Sequence, residues 1–152
     1  EDMLKLPIKK IKKAIFPVGF YPTKAKYIKK TCKILIEKHD GKVPDNEEEL
    51  LKLPGIGRKC MGIVMCFGHS KTGFLPIDTH CHRIPNRLGW IRTKTPEQTE
   101  KELKKILPRK YWKDFNDIFV RFGQNICLAN SPLCSQCPIS AYCPKIGVTR
   151  RR

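Results

Sequence analysis

Leu53-Pro54-Gly55-Ile56-Gly57-Arg58-Lys59 is the stretch on which the reading of this chain turns. Pro54 interrupts the helical pattern before it and a new one starts at Arg58, so the segment reads as a tight turn between two helices. Gly55 and Gly57 can take positive φ and let an anion come close to the backbone. The N–H groups opening the next helix would point at that anion. Such a turn clamps a phosphate without reading base sequence. The same glycines would equally serve an ordinary helical hairpin.

Working outward, the chain reads as all-α. Ile8, Ile11 and Ile15 recur at helical spacing and stop near Pro17 and Gly19. From about Thr23 to His39 the set Ala25, Ile28, Cys32, Leu35 and Ile36 marks a second helix, with Gly41 placed as a left-handed C-cap. Asp45 is read as the cap of a third helix running to Leu53, its early glutamates matching the positive end of the dipole. A fourth helix should span Arg58 to about Phe67. Asp78 should open a short helix that Pro85 kinks or ends early. Thr95-Pro96-Glu97-Gln98 has the hydroxyl, proline and Gln of a helix start, with the helix continuing to Leu107. Trp112, Phe115, Ile118, Phe119 and Phe122 stripe a last long helix, and that stripe reads as core. No repeat, low-complexity tract or strand pattern is present.

Composition narrows the function. With 152 residues and 40% hydrophobic content, one helical domain or two small ones can bury a core. The 31 Lys and Arg against 14 Asp and Glu give a net charge of +17, which points to a polyanionic partner. No apolar run reaches bilayer length. Of eight cysteines, four crowd between residues 127 and 143, which favours a metal over disulfides and implies a reducing compartment. Cys32, Cys60, Cys66 and Cys81 fall singly in helical segments and read as small buried hydrophobes.

Two further motifs carry chemistry. Ile77-Asp78-Thr79-His80 is followed by Arg83, Asn86 and Arg87, with Asp78 in the position of a helix N-cap and His80 fit for either a structural hydrogen bond or a DNA contact. Cys127, Cys134, Cys137 and Cys143 supply four thiolates within seventeen residues. Four cysteines suit zinc or an iron-sulfur cluster. Only one short Cys-x2-Cys pair occurs here, whereas zinc ribbons commonly pair two.

The three motifs, in this order, resemble the endonuclease III family of DNA glycosylases. The 53–59 stretch is similar to the family's helix-hairpin-helix, the 77–87 stretch to its hydrophobic-Asp-Thr-His motif, and the cysteine spacing to its [4Fe-4S] loop. The resemblance implies two helical lobes, residues 1–74 with the hairpin and 75–152 with the cluster loop at 127–143, and an active site between them. It implies Lys59 as the nucleophile and Asp78 as the catalytic carboxylate. The helix N-terminus, Arg58 and partial burial would disfavour the charged form of that amine. Contacts to DNA would come from Leu53, Gly55, Gly57, Arg58 and His80, and the ligands of a [4Fe-4S] cofactor from Cys127, Cys134, Cys137 and Cys143. The partner implied is double-stranded DNA bearing a damaged base or abasic site, met by an intracellular monomer away from membranes. Base release with strand cleavage through a lysine imine is the activity implied, with oxidised pyrimidines as substrates. The family's loop between the first two cysteines carries basic residues, and here it is Leu128-Ala129-Asn130-Ser131-Pro132-Leu133. Family members also begin several helices earlier, so the resemblance implies a chain lacking its N-terminal helices. Two other readings stay open: a monofunctional mismatch glycosylase, against which Lys59 argues, and a non-catalytic DNA-binding module, against which Asp78 argues.

Overall fold

A computed structural model describes the whole chain, Glu1 to Arg152. It contains helices and turns and no strand, as the periodicity implies, and divides into two compact units, Glu1–Met65 and Cys66–Arg152.

The first unit holds α1 (Asp2–Lys5), α2 (Ile8–Ala14), α3 (Tyr21–His39), α4 (Glu47–Lys52) and α5 (Arg58–Ile63). Helices α1 and α2 pack on α3, and α4 packs on α5. Ile11, Ala25, Leu50, Leu53, Met61 and Met65 are buried here, each large apolar side chain contributing about 1.5–3 kcal/mol by leaving water. Helix α3 starts two residues before the expected Thr23, because Phe20 turns the corner in the left-handed region and Pro22 sits in the first turn, where a missing N–H is harmless. Its end carries two left-handed residues, Asp40 and Gly41, and the Gly41 N–H returns to the Leu35 carbonyl at 2.8 Å. The cap of α4 is Asn46, whose Oδ1 accepts from the Glu49 N–H at 2.9 Å, and not Asp45 as the sequence suggests. Both residues are good caps, and the helix begins one residue later than the Asp45 reading required. Helix α5 widens into a π-helical turn at Val64–Gly68 instead of continuing as a regular helix to Phe67.

The second unit holds α6 (Thr79–Arg87), α7 (Pro96–Ile106) and α8 (Trp112–Asn125), with 3-10 turns at Arg109–Tyr111, Cys134–Gln136 and Ser140–Tyr142. Leu75, Ile77, Cys81, Ile91, Leu103 and Phe115 form its core, flanked by Leu107, Trp112 and Phe119. Phe115 and Phe119 stack at 4.0 Å between centroids. The aromatic stripe is therefore core, except that Ile118 is 56% exposed, one residue off the buried face. Helix α6 runs through Pro85 to Arg87 rather than stopping early. Pro85 is buried, and its carbonyl accepts the Trp90 N–H at 3.0 Å just past the helix.

Two details fix how α6 sits. Gly123 on α8 lies against the His80 ring, and a Cβ there would come within 2.2 Å of His80 Nδ1 and 2.9 Å of its Cβ, so only glycine allows this approach. On the side of α7, a polar chain joins Asn86 Nδ2 to Thr93 Oγ1 (3.0 Å), Thr93 Oγ1 to Thr99 Oγ1 (2.6 Å), and Thr99 Oγ1 to His82 Nδ1 (2.6 Å). Thr99 is wholly buried, so these bonds satisfy groups that would otherwise be orphaned.

Candidate functional site

In the first unit the 53–59 stretch forms a turn that opens α5. Gly55 is left-handed at φ +81, and a Cβ there would lie 2.6 Å from Tyr27 Cδ2, so both conformation and space require glycine. Gly57 differs from the sequence expectation: its φ of −100 is one any residue adopts. No atom lies within 4 Å of where its Cβ would be, so this glycine keeps a face of the backbone open, as close approach of a phosphate needs. Leu53 is only 4% exposed and its side chain belongs to the core, while its N–H donates to the Leu50 carbonyl and its own carbonyl accepts from the Ile56 N–H, each at 3.1 Å, so this residue shapes the turn. Arg58 and Lys59 are exposed at the N-terminus of α5. The partial burial expected for Lys59 is absent, because α5 turns Met61 and Gly62 inward and presents residues 58–60 to solvent. Cys60 is exposed for the same reason, contrary to its reading as a buried hydrophobe, and Cys32 is half-buried; Cys66 and Cys81 are buried as expected. Burial pushes the Cys66 thiol up and, with the Asp78 carboxylate nearby, pushes Cys81 up to about 12.

In the second unit Asp78 is the N-cap of α6. Its Oδ1 accepts from the His80 N–H at 2.9 Å and the Cys81 N–H at 2.8 Å. One carboxylate oxygen thus satisfies two helix-end donors, while Oδ2 is left outside the cap. His80 Nδ1 meets Arg83 Nη2 at 3.1 Å, with the ring against Gly123, so its orientation is set from inside the unit.

The four cysteines of the 127–143 loop line a single small cavity of about 30 Å³, with Phe122, Ile126 and Leu133 among its apolar walls. No group of three or more His, Cys, Asp or Glu side chains is gathered to hold a metal ion. The thiols are spread round one cavity instead. Two arginines of α6 reach this loop: Arg87 donates through Nη1 to Cys127 Sγ at 3.3 Å and to the Leu128 carbonyl at 2.7 Å, and through Nη2 to the Ala129 carbonyl. Arg83 Nη2 donates to the carbonyls of Cys127 at 2.8 Å and Gly123 at 3.3 Å. Burial, and after it the nearby Arg87 charge, depress the Arg83 pKa, and its Nε is buried without a partner. A guanidinium N–H aimed at sulfur suits a thiolate. The sequence marked both arginines only by their motif spacing; nothing in it signalled that they would hold the cysteine loop. The Thr93–Thr99–His82 chain had no sequence signal at all, since side-chain pairing of this kind has no period.

Glycine turn, capped aspartate and cysteine-lined pocket stand on an all-helical scaffold, and comparison with known proteins assigns the family. The model of the HhH-GPD superfamily of base excision DNA repair proteins matches residues 1–109. The chain belongs to this superfamily and, within it, to the endonuclease III family. It is 50% identical over 125 residues to endonuclease III of Thermotoga maritima, covering 82% of this chain and 58% of that protein. It is 42% identical over 146 residues to endonuclease III-like protein 1 of Mus musculus, covering 95% of this chain and 49% of that protein. The chain thus spans half to three fifths of these relatives. Among solved structures, a trapped endonuclease III–DNA covalent intermediate superposes with a TM-score of 0.83 at 35% identity, covering 95% of this chain and 68% of that one. A thermostable thymine-DNA glycosylase superposes at 0.76 with 27% identity over 95% of this chain and 68% of that one. No helix is long and apolar enough to cross a membrane.

Proposed function

We propose that this chain carries the chemistry of a base-excision DNA glycosylase with strand-cleaving lyase activity, in which Lys59 is the nucleophile and Asp78 the catalytic carboxylate. Two observations, each within its own unit, support this reading: Lys59 is exposed at the start of α5 beside the Gly55–Gly57 turn, and Asp78 caps α6 through Oδ1 alone. The open backbone at Gly57, the first N–H groups of α5 and Arg58 grip a phosphate of double-stranded DNA. The His80 ring, held through Nδ1, presents Nε2 to the strand. A damaged nucleotide leaves the stack. The Lys59 amine then attacks C1′ while the bond to the base breaks, the base leaving with the glycosidic electron pair. Asp78 stabilises the positive charge that builds on the sugar and takes the proton that the amine loses. Ring opening gives an imine between Lys59 Nζ and C1′. Loss of a C2′ proton then expels the 3′ phosphate, cutting the strand. Oxidised pyrimidines are the substrates this reading assigns.

Cys127, Cys134, Cys137 and Cys143 would hold a [4Fe-4S] cluster. All four thiols line one apolar-walled pocket, which supports this, and Arg87 is placed to offset thiolate charge. When bound, the cluster supplies a cross-link tying the loop to itself. The two readings kept beside this one are a monofunctional mismatch glycosylase and a DNA-binding module.

Borohydride trapping separates them. On duplex DNA with the damaged base still attached, an imine is reduced to a protein–DNA adduct that survives denaturation. The adduct should form, and Lys59→Gln should abolish it while duplex binding persists. Base release with no adduct would install the monofunctional reading; binding with neither would install the binding module. A preformed abasic site is a poor substitute, since any of the chain's many lysines could be trapped there.

A further inference from the structure

The second unit has a concavity that the proposed chemistry leaves unused. It lies between the 70–74 segment and the turn that opens α8, has a volume of about 470 Å³, and shares no residue with the cysteine-lined pocket. Its walls carry four cationic residues, Lys71, Arg109, Lys110 and Lys113, and no Asp or Glu. Arg109, Lys110 and Lys113 fall within five residues of chain and would repel one another. None of these three is neutralised by a carboxylate. Arg109 donates to Thr72 Oγ1 at 3.5 Å and lies 5.9 Å from the Trp112 ring, Lys110 lies 4.9 Å from Tyr111, and Lys113 lies 6.0 Å from Phe67. Cation–ring contacts of this kind hold a side chain in place without cancelling its charge.

The backbone is shaped to this arrangement. Gly73 is left-handed at φ +102, and a Cβ there would lie 3.0 Å from Arg109 Nη2. The guanidinium thus occupies the space a side chain at 73 would take, with its fork over the concavity and the hydroxyls of Ser70 and Thr72 on the same rim. A concave wall of one sign concentrates potential, and a planar fork with ammonium point charges and hydroxyl donors matches phosphate oxygens. The volume exceeds what a single phosphate needs.

We propose that this concavity is a second anion site, which takes a free oligophosphate such as inorganic tripolyphosphate or the triphosphate of a nucleotide. It does not depend on the lyase reading. Because Trp112 lines the pocket, its emission reports occupancy once Trp90→Phe removes the other tryptophan. In that background, at physiological salt, tripolyphosphate should produce a saturable change. Arg109→Ala with Lys113→Ala should weaken it at least about tenfold, with the melting temperature without ligand unchanged. If that pair does not fold, Arg109→Lys keeps the charge and loses the fork, and should weaken binding about threefold or more. Lys26→Ala with Lys30→Ala, an equal loss of charge on exposed positions of α3, should leave affinity within about twofold. Equal affinity for ATP and tripolyphosphate would identify the phosphate chain as the ligand, and tighter ATP binding a nucleotide; both support the site. Equal weakening by the two double variants would reduce it to the general field of a chain of +17 and overturn it. Tighter binding of an oligoglutamate peptide than of tripolyphosphate would overturn it too.

Discussion

Replacing Asp78 by Asn and, separately, by Ala should dissociate the capping its carboxylate performs from the catalytic role proposed for it. Oδ1 accepts two N–H groups at the start of α6, from His80 at 2.9 Å and Cys81 at 2.8 Å. Alanine removes the one acceptor that both bonds share. Loss of an N-cap costs about 0.5–2 kcal/mol, and because α6 packs against α7 and α8 around the second unit's core, the upper half of that range is expected. Asparagine keeps the acceptor and gives up only the charge at the helix N-terminus, about 0.3–1 kcal/mol. Melting temperatures should therefore fall in the order wild type, Asn, Ala, with Ala lower by roughly 2–8 °C. Base release should not follow that order. Both variants lack the charge, so single-turnover release from a duplex carrying a damaged base should drop by about 10²–10³ in each, roughly 2.7–4 kcal/mol of barrier. A nearly wild-type melt with a severely slowed reaction is the signature of Asn. If Asn releases base at the wild-type rate, Asp78 is a cap and nothing more. If Asn and Ala melt alike, the cap energetics are wrong.

Three further outcomes are expected. Gly57→Asp should weaken binding to every duplex by about tenfold and barely alter the melt, because its backbone is ordinary and its Cβ meets nothing; Gly55→Ala should instead cost about 1–3 kcal/mol of stability, since it forces a left-handed alanine into Tyr27. Alkaline unfolding should show the Cys81 thiol: its folded value is raised to about 12 from an ordinary 9.0, so this contribution is intact below pH 9 and lost as pH rises toward 12. The loss is of order 1.4 kcal/mol per pH unit at most, and Cys81→Ala should flatten that limb relative to wild type in urea titrations at stepped pH. Anaerobically purified protein should hold about four irons; Cys137→Ser should lose them and Cys32→Ser should keep them, so zinc in the wild type, or iron in the Cys137 variant, would sink the ligand assignment.

What could be read from the sequence was whatever repeats or sits at a fixed offset. The helices announced themselves through their apolar period, and the Asp78 cap through its position ahead of a helix. Periodicity also placed Trp112, Phe115 and Phe119 in the core, yet it could not separate Ile118, one step round the same helix. Neighbouring caps defeat it as well: Asp45 and Asn46 are chemically close, and only the backbone path chooses Asn46. Glycine is ambiguous in sequence because it can be needed for conformation or for space. Gly55 needs both, Gly57 neither in its own fold, and Gly123 is a packing residue that no turn signal marks. The roles of Arg83 and Arg87 were hidden because their partners are carbonyls some forty residues away.

Those carbonyl contacts give the cysteine loop a set of tethers besides its four sulfurs. Arg87 clasps residues 128 and 129, the Leu133 N–H returns to the Ile126 carbonyl at 2.9 Å, and Lys145 Nζ reaches the carbonyls of Ser140 and Cys143 at 3.0 and 3.2 Å. Two long cationic side chains therefore do for this loop what a buried apolar cluster does elsewhere, and only two of the four sulfurs take part, Cys127 Sγ accepting from Arg87 Nη1 and Cys143 Sγ donating to the Arg87 carbonyl at 3.6 Å. Each backbone residue fixed in this way gives up about 1–2 kcal/mol of conformational freedom. The loop is thus laced in place from outside its ring of sulfurs, as a tent is held by its guy ropes and not by its pole.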